Sequence, residues 1–182
     1  MSSNRPIKIL FDSYHLYHLP QFDPVIDILS HDDRFEIFHS TCSDNKKIEL
    51  DLCLTVLESK PGTLVFAETE EERMEKIRAL DLDVFICGWS RYPIGKFVSK
   101  NTLVGMIYHG IGVKPSYWRD NSTRLNIRFV EGQYRMDQLV NNGIETDLVL
   151  TGFTKLDPLF HGDDEPFNDL KSSLRLDPNK KT

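Results

Sequence analysis

The feature that most limits what this chain can fold into is a recurring unit: a short apolar run, a polar turn, then a stretch with helical spacing. The apolar runs fall at 8–12, 35–40, 63–66, 83–87, 103–108, 126–130 and 147–150. Most lack a polar/apolar alternation, so each is expected to be a strand buried on both faces, as in a parallel sheet covered by crossover helices. Helical stretches lie between them at 20–29, 45–57, 69–80 and 133–142. The expected fold class is therefore α/β, a Rossmann-like parallel sheet with helices on both faces.

Local signals support the helices. Pro24 is expected near the first turn of 20–29. Thr69 followed by Glu72 reads as a capping box, with Met74 and Ile77 marking one apolar face. Met136, Leu139 and Val140 mark the face of 133–142, and Gly143 is placed to take the left-handed conformation just past its end.

At 182 residues the chain fits one domain, expected over 1–165. A helix-like stretch follows at 167–174. The chain then turns polar from Arg175 to Thr182, with the composition of a linker, so 166–182 is expected to lead towards a further domain. The net charge of −6 argues against a nucleic-acid partner, because phosphate backbones are held by clustered Lys and Arg. No G-x-G-x-x-G follows the first strand, so a dinucleotide cofactor is not expected. Cys42, Cys53 and Cys87 form no C-x-x-C pair, which points to reduced, buried thiols and to no zinc site. No apolar run approaches the ~18 residues of a membrane span. A cytoplasmic chain is expected, with attachment at the inner face of the cell membrane left open.

In an open parallel sheet, ligands collect outside the carboxyl ends of the strands. Two such junctions carry chemistry-bearing residues. Tyr108-His109-Gly110-Ile111-Gly112-Val113-Lys114 leaves the run 103–107. His109 is a candidate base, Gly110 and Gly112 allow backbone N–H groups to approach an anion, and Lys114 adds positive charge. Thr151-Gly152-Phe153-Thr154-Lys155-Leu156-Asp157 leaves the last run, with Gly152 relaxing the turn and Lys155 and Asp157 presenting opposite charges. Asp157 serves equally as a helix cap.

Other residues stand at strand ends or in charged runs. His15 and His18 have the spacing of one helical face but no evident third metal ligand. Asp12 and Ser13 suit either an acceptor contact or a cap. Glu68, Glu70, Glu71 and Glu72 read as a solvated helix start. Trp89, Arg91 and Tyr92 are candidates for lining a cleft, and Arg119, Arg124 and Arg128 are candidates for phosphate contacts or surface positions.

Together the two junctions resemble motifs of the CDP-glycerol glycerophosphotransferases, which build teichoic-acid-like polymers. That family carries W-H-G-T-P-x-K after one strand and G-x-P-R-x-D-x-L after a later one. Residues 108–114 keep the His, Gly and Lys; residues 152–159 keep Gly, Asp and Leu, with Lys155 in place of Arg. Tyr108 replaces Trp, Ile111 and Gly112 replace Thr-Pro, and Thr154 replaces Pro.

The resemblance covers roughly 83–182. It implies one half of a GT-B architecture, the acceptor side, whose partner is a C-terminal nucleotide-binding domain. It also implies CDP-glycerol as donor, held mainly by that other domain, with no covalently bound cofactor. The acceptor would be a polyol phosphate or glycan, free or lipid-linked, and His109 would be the base. The altered positions keep two alternatives open: a GT-B half acting on a nucleotide sugar, as a glycosyltransferase or UDP-sugar 2-epimerase, and a non-catalytic Rossmann-like binding domain.

Overall fold

The computed structural model describes residues 5–161 apart from 91, 113 and 120–123. The strands are β1 (Ile7–Asp12), β2 (Phe35–Ser40), β3 (Thr63–Val65), β4 (Val84–Cys87), β5 (Leu103–Ile107), β6 (Ile127–Val130) and β7 (Asp147–Leu150). They form one sheet in the order β3-β2-β1-β4-β5-β6-β7, and every pair is parallel. The Rossmann-like α/β expectation therefore holds.

Helices α1 (Leu19–Ser30), α2 (Lys47–Glu58), α3 (Glu70–Ala79) and α4 (Gln133–Asn141) flank the sheet, and α5 (Asp157–His161) follows β7. Right-handed crossovers dictate which face each takes. The chain steps one way from β1 to β3, which puts α1 and α2 on one face. Leu19, Phe22 and Ile26 of α1 and Leu57 of α2 bury there against Ile9, Phe11, Ile37 and Ile86. It then returns past β1 and steps the other way, which puts α3 and α4 on the opposite face. Ile77 and Leu139 bury there against Leu10, Phe38, Phe85, Val104 and Val130. Alternate strand residues thus feed two cores. On the first face an apolar hollow of about 300 Å³ remains, lined by Phe11, Ile86, Ile107, Ile127 and Phe129 among others.

Several local expectations need correction. Helix α1 begins at Leu19, so Pro24 lies inside it and not near its first turn. Pro24 has no N–H to give the carbonyl of Pro20. The capping box is half formed: Thr69 Oγ1 accepts from the Glu72 N–H at 3.2 Å, but Glu72 Oε2 takes the N–H of Glu68. Val140 is exposed, leaving Met136 and Leu139 as the packed face of α4. Gly143 has φ +73°, as expected of a residue just past a helix end. The three cysteines are buried, and none is in a disulfide. The expected helix at 167–174 and the linker after it lie outside the described residues. Among the described residues no helix is long and apolar enough to cross a membrane.

The strand order reverses between β1 and β4, the position where an open α/β sheet leaves a crevice at its carboxyl edge. The connections there are irregular. Among the described residues the connection between β4 and β5 holds the short 3-10 turn Ile94–Lys96, and that between β5 and β6 the turn Pro115–Tyr117. Ile94, Phe97 and Val98 fill the core where a crossover helix would pack.

Candidate functional site

A cleft of about 210 Å³ opens at this switch point, between the turn after β1 and the ends of β4 and β5. Tyr17, Trp89, Tyr108 and Tyr117 give it aromatic walls, and His109, Lys114, Ser90, Ser116 and Arg128 supply its polar groups. No carboxylate is among its described lining residues. In a chain of net charge −6, that arrangement favours an anionic ligand.

His109 is oriented by the strand beside it. Its Nδ1 lies 2.8 Å from the carbonyl oxygen of Gly88, just past β4. A carbonyl only accepts, so Nδ1 carries the proton and Nε2 carries the lone pair. Nε2 in turn lies 3.0 Å from the Tyr117 hydroxyl, which donates to it. Gly88 leaves room for His18 rather than for His109: a Cβ there would fall 2.9 Å from Cγ of His18. Burial lowers the pKa of His109; the Gly88 carbonyl opposes that shift, while His15, Lys114 and Lys155 reinforce it. The imidazole is therefore neutral at physiological pH and able to accept a proton.

A second histidine stands behind it. His18 is fully buried with its ring 4.9 Å from that of His109. Its Nδ1 accepts from the His15 N–H at 3.4 Å, and its Nε2 has no hydrogen-bond partner among the described residues. Burial, and then the neighbouring His109 and His15, push its pKa down to about 3. His15 is exposed enough to pair with Glu49 at 2.9 Å. His15 precedes and His18 ends a 3-10 turn, Leu16–His18, and no group of three metal-ligating side chains is found among the described residues.

The structure sorts the remaining candidates. Gly110 and Gly112 lie beside His109, but Gly112 serves packing: a Cβ there would fall 2.3 Å from Cε2 of Tyr117. Its carbonyl accepts from Arg135 Nη2 at 2.6 Å. Lys114 is exposed on the cleft wall. Of the second junction, Gly152 takes φ +83°, Lys155 sits in the turn Thr154–Leu156 and Asp157 opens α5; none of the three lines the cleft. Lys155 is nonetheless close enough to depress the His109 pKa.

Asp12 is neither a cap nor a cleft residue. It is fully buried and binds Arg73 at 2.7 Å, Ser40 at 2.6 Å and the Tyr92 hydroxyl at 2.5 Å. Tyr92 thus turns away from the cleft that Trp89 lines. Ser13 is buried as well. Glu70 is not simply solvated, since it accepts from Arg73 at 2.8 Å and from the Ser43 N–H. Arg128 is a buried cleft residue bonded to Tyr108 and Thr146, and not a surface residue. Arg124 ties Ser99 and Thr102 carbonyls together, Arg119 is exposed, and Arg91 lies outside the described residues.

Tyr17, Tyr117 and Gly88 are site residues that sequence reasoning did not single out as such. The only signals were a glycine at the end of one apolar run and a tyrosine eight residues beyond the histidine. The fold and site define a Rossmann-like domain with a cationic, aromatic cleft at its switch point. No protein-family model and no curated protein matches the chain.

Proposed function

We propose that this chain is the acceptor-side half of a GT-B enzyme resembling the CDP-glycerol glycerophosphotransferases, acting on a cell-envelope or capsular polymer. The observation that carries the reading is the Gly88–His109 hydrogen bond, which leaves Nε2 as a free-base nitrogen facing a cleft of cations. An acceptor hydroxyl gives its proton to Nε2 while its oxygen bonds to the β-phosphorus of CDP-glycerol. The bond from that phosphorus to the bridging oxygen breaks, its electron pair leaves with CMP, and the proton passes from His109 to solvent. Lys114, on the cleft wall, offsets negative charge on the acceptor and the transferring group, and Lys155 adds positive potential at His109 from outside the cleft. The nucleotide-binding half of the site would come from a further domain.

The test is transfer of radiolabelled glycerol phosphate from CDP-glycerol to a glycerol-phosphate-terminated acceptor, using the full open reading frame that contains this chain. His109→Ala is expected to lower turnover by about 100- to 10,000-fold, the usual contribution of a general base. Full activity in that variant rules out the base role. The aromatic faces of Tyr17 and Trp89 on the cleft also suit the apolar face of a sugar ring, which favours a nucleotide-sugar enzyme as the second reading. A UDP-sugar arm separates the two: turnover there, with none of CDP-glycerol, selects the second.

A further inference from the structure

The Tyr117 hydroxyl occupies the one lone pair of His109 that the proposed chemistry needs. A pyridine-type imidazole nitrogen accepts a single in-plane hydrogen bond, and at Nε2 that bond comes from Tyr117 at 3.0 Å. With Nδ1 already committed to Gly88, no second hydroxyl can be seated on this imidazole while Tyr117 stays. We propose that Tyr117 is a gate that holds the acceptor's place on His109 and must swing aside before an acceptor hydroxyl can bind. This rests on the reading of His109 as the base.

The way Tyr117 is held fits a side chain that moves on a fixed backbone. Its carbonyl accepts from the Tyr108 hydroxyl at 3.1 Å, and Tyr108, itself buried, accepts from Arg128 Nη1 at 3.1 Å. Its N–H bonds the Lys114 carbonyl at 3.0 Å. The backbone is thus tied to the sheet from below. The ring is held by side-chain contacts: it lies over the bare Cα of Gly112 and stacks on the Tyr108 ring at 6.1 Å at the margin of the core, with the Arg135 guanidinium 5.4 Å from its centre and the His109 bond at its tip. Ring contacts of this kind can be exchanged by rotation about the side-chain bonds, leaving the backbone hydrogen bonds intact. Arg135, fixed by Glu131 and Gln138, holds the Gly112 carbonyl and so keeps the platform in place.

The gate is testable without any substrate. Diethyl pyrocarbonate acylates a neutral imidazole at a free nitrogen, and the tryptic peptide 101–119 contains His109 as its single histidine. Tyr117→Phe is expected to speed modification of His109 about 2- to 12-fold, the factor to which a typical net hydrogen bond converts. Gly112→Ala keeps the hydroxyl but puts a Cβ within 2.3–2.6 Å of three ring carbons, and is expected to give the same acceleration. Circular dichroism identifies a variant that has unfolded, in which case the other decides. Unchanged His109 modification in a folded variant overturns the gate. So does a loss of transfer in Tyr117→Phe as deep as in His109→Ala, because Tyr117 would then carry the proton itself. Modification reports on the gate alone, whereas transfer by His109→Ala reports on the base, so either can fail independently.

Discussion

Arg73 shows how one buried side chain can hold three segments. Its guanidinium, fully buried, binds Asp12 at the end of β1 and Glu70 one turn earlier in α3, and it lies 4.6 Å from the ring centre of Phe97. The neighbouring carboxylates raise its pKa despite burial, so it stays charged. Removing one partner of such a pair strands the other charge in the core. Arg73→Met is therefore expected to cost about 3–5 kcal/mol in urea unfolding, and Asp12→Asn placed on top of it should recover part of that loss. An Arg73→Met protein as stable as the parent would show that water reaches Asp12. The cluster anchors Tyr92 as well, and so sets the path of the chain leaving Trp89 towards β5.

At the scale of elements, β5 is the strand that delivers His109, and it runs inside the sheet between β4 and β6. Gly105 lets it lie close to its neighbours: a Cβ would fall 2.8 Å from Cδ1 of Ile86 and 3.1 Å from Cε2 of Phe129. Overfilling a packed site costs about 1–3 kcal/mol, which is the expected destabilisation of Gly105→Ala by chemical denaturation. Ile86→Val deletes the Cδ1 that the new methyl meets, so the double variant should be less destabilised than the sum of the singles. Strict additivity would mean the strands separate to make room. The irregular connectors after β4 and β5 obey a different logic. Freed from packing a full helix, they place Trp89 and Tyr117 at the cleft.

Across the whole molecule, buried histidines set the response to acid. His18, His39 and His109 all have lowered pKa values, with burial the leading cause in each. The unfolded chain takes up these protons near 6.5, and the folded chain does so only lower, near 3 for His18. Between those limits the unfolded state binds more protons, so stability is complete above about pH 6.5 and falls as pH drops. Carboxylates such as Glu70 and Asp83, whose pKa values are lowered, add to the loss only below about 4.5. Each fully linked histidine contributes up to about 1.4 kcal/mol per pH unit, so His18→Phe should flatten the slope of unfolding free energy between pH 6.5 and 5. An unaltered slope would mean that His18 is protonated in the folded protein.

What the amino-acid sequence determined by itself was the set of elements and their class. Runs such as 83–87 and 103–108 are apolar on both sides, and that alone demands a covered parallel sheet. It also placed His109 at the end of β5, because a strand boundary is a local event marked by glycine. Tertiary structure decided what each polar residue does there. Asp12 and Tyr92 stand at or beyond strand ends as His109 does, yet Asp12 closes inward on Arg73, some sixty residues away, and takes Tyr92 with it, and the cleft goes to Tyr17, Trp89 and Tyr117. Periodicity reports which face of an element is apolar. Which distant charge or hydroxyl meets a given polar side chain depends on strand order and on the paths of irregular connectors, and neither leaves a local signature.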